Sequence, residues 1–107
     1  MSARTENKSS GIGEHPIQVV AQRTGLSPDV LRIWERRYAV VKPSRSATGR
    51  RLYSDRDVEH LLLLRRATLA GRSISQVADL DSEELRGLVE ADEVAAARSP
   101  RPAIRRP

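Results

Sequence analysis

Apolar residues recur at helical spacing from residue 17 onward. Ile17, Val20 and Ala21 fall at i, i+3 and i+4, one face of a first helix starting near Pro16. Gly25 supplies a left-handed residue to end it, and Leu26 folds back onto it. Ser27-Pro28 restarts the chain, with Ser27 as N-cap and Pro28 at the first helical position. Val30, Leu31, Ile33, Trp34 and Tyr38 are assigned to the packing half of this second helix, with Asp29, Arg32 and Arg36 on the other half. Two short helices joined through a glycine-containing turn form a helix-turn-helix.

After Tyr38 the texture changes. Val40-Val41 are β-branched, Pro43 forbids helix, and Thr48-Gly49 marks a tight turn. Residues 41–44 and 50–53 are expected to pair as a hairpin with its tip near Ser46–Gly49. Strand alternation puts Leu52 toward the core and Arg51 and Tyr53 outward. Such a hairpin is a wing.

Ser54 with Asp57 resembles a capping box and opens a third helix, 55 to about 69, with Val58, Leu61, Leu62, Leu64 and Leu69 for the core. Gly71 ends it, and Ser75 caps a short fourth helix containing Val77, Ala78 and Leu80. Residues 82–97 restart from Asp81 or Ser82, with Leu85, Leu88 and Val89 as a narrow stripe too weak to fold alone. The expected fold is mainly α, a winged helix-turn-helix of four to five short helices with a two-stranded wing. The expected division is a flexible leader (1–14), a folded domain (15–80), a short acidic helix (81–97) and a basic Pro-rich tail or linker (98–107).

Composition narrows the function. The chain has 107 residues, room for one small domain, with no Phe and three aromatics, Trp34, Tyr38 and Tyr53. A core of Leu, Val, Ile and Ala suits a compact helical fold without a deep catalytic cavity. There is no cysteine, which excludes disulfides, thiolate metal sites and thiol redox sensing. No apolar run reaches membrane-spanning length, and residues 1–14 lack the apolar stretch of a secretory signal, so a cytoplasmic location is expected.

The net charge of +5 is unevenly distributed. Residues 15–80 carry 12 basic against 6 acidic side chains, and residues 81–97 carry 1 against 6. Within 32–51 seven basic residues, Arg32, Arg36, Arg37, Lys42, Arg45, Arg50 and Arg51, face one acid, Glu35. A basic block inside a folded region is the electrostatic footprint of a polyanion, although a charge run alone usually means a solvated surface.

The second helix of a helix-turn-helix lies in the major groove, where its outward face here offers Ser27, Asp29, Arg32 and Arg36. Arginine's planar fork bonds a guanine edge or a phosphate with two donors. The bland alternative for Arg32 and Arg36 is solvation, or pairing with Asp29 or Glu35. Arg37 borders the packing half and can instead lay its stem over Trp34, itself a core residue by spacing. In the wing, Arg45, Arg50 and Arg51 flank a slim tip of Ser46, Ala47, Thr48 and Gly49, a shape that enters or straddles a minor groove. Tyr53 is open to two roles, a hydroxyl donor to phosphate or a packing residue.

The run Pro28-Asp29-Val30-Leu31-Arg32-Ile33-Trp34-Glu35-Arg36-Arg37-Tyr38, then Val41-Lys42-Pro43-Ser44-Arg45, then Gly49-Arg50-Arg51-Leu52-Tyr53-Ser54-Asp55-Arg56-Asp57-Val58, resembles the N-terminal domain of MerR-family regulators. The resemblance covers roughly residues 15 to 80. Its Trp34–Tyr38 segment and its Arg45–Ser54 wing look most like the branch that includes cobalamin-dependent light-responsive repressors. The resemblance implies a homodimer that binds pseudo-palindromic promoter DNA, with Arg32, Arg36, Arg45 and Tyr53 contacting DNA, mostly through phosphates. It also implies a dimer interface lying outside this segment. No Asp-x-His-x-x-Gly cobalamin segment occurs, and His15 and His60 read as ordinary helix-end or surface residues, so no cofactor and no metal are expected.

No nucleophile–base pair has motif spacing and no phosphate loop is present, so catalysis is not expected. Two rivals remain open: a protein-interaction module for an acidic partner that imitates DNA, and an excisionase-like architectural DNA binder. The acidic 81–97 segment is further expected to be able to cover the domain's own basic face.

Overall fold

The structure, a computed structural model, describes residues 13–98. The elements run α1 (Ile17–Thr24), α2 (Pro28–Tyr38), β1 (Ser44–Arg45), β2 (Arg51–Leu52), α3 (Asp55–Leu69), α4 (Ile74–Val77) and α5 (Ser82–Arg98). Most of the expected leader, and all of the expected tail except Arg98, lie outside the described residues.

Pro16 caps α1 rather than beginning it. Gly25, at φ 78°, closes the helix, and its N–H donates to the Ala21 carbonyl. The Thr24 hydroxyl donates to Val20 O and accepts from Leu26 N, so a buried polar side chain is satisfied on both sides of the turn. Ser27 Oγ accepts the Val30 amide at 3.1 Å, and Pro28 opens α2. These local bonds lock the angle between α1 and α2.

α3 is the central helix. It packs against α1, α4 and α5, and buries Val58, Leu61, Leu63, Leu64 and Ala67. Its start is a complete capping box, Ser54 with Asp57. Its end is a Schellman motif in which Arg72 N donates to Ala67 O and Gly71 N to Thr68 O.

Leu69 does not join the core: it is 70% exposed, while Leu63 and Ala67 are buried. A helix packed on several sides buries a wide arc: Leu62 is half-buried against the core as expected, and Leu69 in the last turn is left outside it. The cap of α4 is Ser73, two residues before the expected Ser75, because the Gln76 side chain reaches back to the Ser73 amide. Asp81 caps α5, accepting from Glu84 N while Glu84 Oε1 accepts from Asp81 N.

Fully buried Leu85 and Val89 join α5 to α3, and exposed ion pairs surround that seam. Arg66 and Arg72 hold Glu93 and Asp92 through two hydrogen bonds each, and Arg86 pairs with Glu59. Hydrogen bonds from the arginines hold both carboxyls, Asp92 and Glu93, below their usual range. These acids are therefore engaged with α3 and the turn after it. They do not cover the second helix or the wing, contrary to the expectation of a self-covering segment.

The ribbon is shorter than expected and lies nearer its tip, pairing Ser44 with Leu52 and Arg45 with Arg51. Val41 turns into the core instead of entering the ribbon. Tyr53 pairs with His15 through reciprocal backbone bonds of 2.8 and 2.9 Å. The expected facing is reversed: Tyr53 is buried and Leu52 half-buried. Tyr53 offers the larger ring to the core, and its hydroxyl finds an internal acceptor in Glu35, so burial leaves no polar orphan. No helix among the described residues is long and apolar enough to cross a membrane.

Candidate nucleic-acid interface

The outward face of α2 carries Asp29, Arg32, Ile33, Arg36 and Arg37. Leu31 and Trp34 are buried on the opposite side, with Val30 and Tyr38 packed against the same core. Ile33 was expected among the packing residues, yet it is 43% exposed. At about 100° per residue it lies between Asp29 and Arg37 on the wheel, roughly 130° from the centre of the buried side. Arg32 Nη1 donates to Asp29 Oδ1 at 3.2 Å, a solvent-exposed i, i+3 pair that a stronger anion can displace. The side chains of Arg36 and Arg37 are exposed and make no ion pair or hydrogen bond to another described residue, and the same holds for the side chains of Lys42 and Arg50.

The wing is internally braced. Ser46 N donates to Arg50 O and Gly49 N to Ser46 O, with Gly49 at φ 84° in the left-handed region that glycine takes without strain. Ser46 Oγ accepts from Arg50 N and contacts Thr48 Oγ1 at 3.0 Å. Arg45 Nη1 donates to Gly49 O at 2.9 Å, tying its side chain along the tip. Arg45 and Thr48 remain exposed.

One ion pair joins the wing to α2. Arg51 Nε donates to Glu35 Oε1 at 2.8 Å, and Tyr53 Oη approaches the same oxygen at 3.4 Å. Burial first, and Glu35 second, push the Tyr53 phenol up to about 12. Tyr53 and Ser27 thus serve the scaffold, one from the core and one as a cap. Glu35, the lone acid of the basic stretch, is the anchor for Arg51, a role that charge counting did not reveal.

Arg32 from α2 and Arg50 and Arg51 from the wing line a single groove of about 260 Å³ together with Pro16, Ile17 and Gln18 at the start of α1. α1 has no acid in its first turn, and the first amides of any helix lack intrahelical acceptors. Three guanidinium groups beside a helix N-terminus form a seat for an anion. Gln18 went unnoticed in the sequence because no pattern placed it next to the wing. Among the described residues no cluster of three or more His, Cys, Asp or Glu side chains could hold a metal ion.

Residues 16–84 match the family of MerR HTH regulatory proteins. The chain is 42% identical over 72 residues to the HTH-type transcriptional repressor CarH of Myxococcus xanthus, covering 67% of this chain and 24% of that protein. It is 36% identical over 70 residues to the HTH-type transcriptional regulator MlrA of Escherichia coli K12, covering 65% of this chain and 29% of that one. It therefore spans about a quarter of the length of these relatives. The fold is similar to the crystal structure of HiNmlR, a MerR family regulator lacking the sensor domain, bound to promoter DNA, with a TM-score of 0.61 and 24% identity over 78% of this chain and 70% of that one. With a helix-turn-helix, a two-stranded wing and a family match over most of its described length, the chain belongs to the MerR family of helix-turn-helix regulatory proteins.

Proposed function

We propose that this chain binds double-stranded DNA in a sequence-specific manner to regulate transcription, without catalysis and without a cofactor of its own. α2 enters the major groove, and the wing lies on the adjacent backbone or minor groove. Arg36, Arg37 and Lys42 extend the basic face, and Arg45 with Thr48 forms the tip that approaches the minor groove. The carrying observation is the convergence of Arg32, Arg50 and Arg51 on one groove at the start of α1, which a backbone phosphate fits in charge and size. The relatives named as transcriptional regulators, and the DNA-bound HiNmlR, support this reading.

A single copy makes few phosphate contacts, so the operator is read as a pseudo-palindrome by two copies, each adding its own half-site. The test is a salt-dependent titration against a pool of random duplexes, followed by sequencing of the bound fraction. An enriched palindrome, with affinity falling steeply as salt rises, supports the proposal. Salt-dependent binding without enrichment points to an architectural binder, and no binding even at low salt points to an acidic protein partner.

A further inference from the structure

Ile33 is an apolar side chain placed among charges. It is 43% exposed on α2, with Asp29 one turn before it and Arg36 and Arg37 one turn after it. Its neighbour Arg32 lines the groove shared with the wing. Leu31 and Trp34 fill the core side of the helix, so Ile33 adds little to the packing of this domain.

The branched, purely apolar side chain of Ile33 gains nothing from a phosphate or from water. The arginines around it are suited to phosphate oxygens and guanine edges, which leaves Ile33 a different kind of target on the same surface. On the major-groove edge of a base pair, the apolar feature is the C5-methyl of thymine. We infer that Ile33 is a specificity-determining residue that packs against a thymine methyl in each half-site, so that this chain prefers thymine over cytosine or uracil at one position. The inference rests on the proposed DNA-binding function and adds to it a base-reading residue that carries no charge.

The geometry separates two kinds of work on one helix face. Arg32 and Arg36 supply affinity that falls with salt, because each phosphate contact releases counterions. Ile33 supplies discrimination that is independent of salt, because burial of two methyl surfaces involves no charge. A substitution at Ile33 therefore changes which sequences are preferred and leaves the salt slope as it was.

The test couples a protein change to a single methyl group on the DNA. Each thymine of the selected operator is replaced singly by uracil, and binding is titrated for the 107-residue chain and for its Ile33→Ala variant. At one position per half-site, uracil should weaken the parent chain about fourfold, the ratio expected for burying one methyl-sized group. Ile33→Ala should be indifferent to that same replacement, with unchanged helical circular dichroism and an unchanged salt slope. Equal effects of every uracil on both proteins, with the selected operator still bound, would overturn the role of Ile33 alone. Failure of the parent chain to bind any duplex at low salt would overturn the DNA-binding reading as well.

Discussion

Arg51 on the wing and Glu35 on α2 meet at 2.8 Å, half-buried on both sides, and this contact sets how the wing stands against the second helix. The pair leaves Arg51 with enough exposure to line the groove beneath Arg32 and Arg50. Removing either partner should lower stability by about 1 kcal/mol, which for a domain of this size is a fall in Tm of about 5 °C. Glu35→Ala, Arg51→Ala and the double variant, melted side by side, should show that the second change adds almost nothing to the first. Fully additive losses would mean that the two side chains act separately.

The exposed arginines should behave differently from that pair. Arg50→Ala and Arg45→Ala should leave the melting curve unchanged within about 0.5 kcal/mol and weaken DNA binding similarly across sequences. Each is expected to reduce the slope of log affinity against log salt by about 1. An unchanged slope with lost helicity would mark the residue as structural.

Two titratable groups, buried Tyr53 and half-buried His60, bound the pH range of stability from opposite ends. The Tyr53 phenol, ordinarily at 10.0, is raised to about 12, so the folded state holds its proton more tightly than the unfolded chain. Its contribution is complete below pH 10 and is lost as pH rises toward 12, by about 2–3 kcal/mol in all. His60 is held below 6.5 by burial, against the opposing pull of Asp57 and Asp81, and its Nδ1 lies 2.7 Å from Ser82 Oγ. Protonation therefore favours the unfolded chain as pH falls below 6.5. Urea midpoints measured across pH should show both limbs. Tyr53→Phe should flatten the alkaline limb and His60→Gln the acidic one.

Neighbouring leucines on α3 should differ sharply. Leu63→Ala opens a cavity in the core and should cost about 2–5 kcal/mol, whereas Leu69→Ala at the exposed end should cost under about 0.5 kcal/mol. Denaturant titration of the two variants distinguishes them directly. Equal losses would mean that Leu69 is covered in solution.

Ala39 closes α2 at φ 51° and ψ 40°, a left-handed conformation that costs a residue with a Cβ about 1 kcal/mol. Ala39→Gly relieves that strain but frees the unfolded chain, which offsets part of the gain. The net expectation is about 0.5 kcal/mol of added stability, read as a higher Tm, with DNA affinity unchanged. A lower Tm would mean that the unfolded-state term outweighs the strain.

Local chemistry made most of the elements legible in the chain. Gly25, Ser27-Pro28, Ser54 with Asp57, and Gly71 act through bonds to residues a few positions away, so their caps and breaks are readable without the fold. The basic block from Arg32 to Arg51 was visible for the same reason: charge is a property of the residue itself. Facing was not. Tyr53 turned inward because His15, 38 positions earlier, pairs with its backbone and Glu35 accepts from its hydroxyl. Leu69 turned outward because the elements packed on α3 bury other arcs of it, and two acids of α5, Glu93 and Asp92, were claimed by Arg66 and Arg72. The sequence determined the elements, the caps of α2 and α3 and the sign of the surface. The tertiary structure decided which arginines meet at one groove, which aromatic is buried and which isoleucine is left exposed. Those outcomes depend on partners distant in the chain, and neither helical period nor strand alternation encodes such a partner.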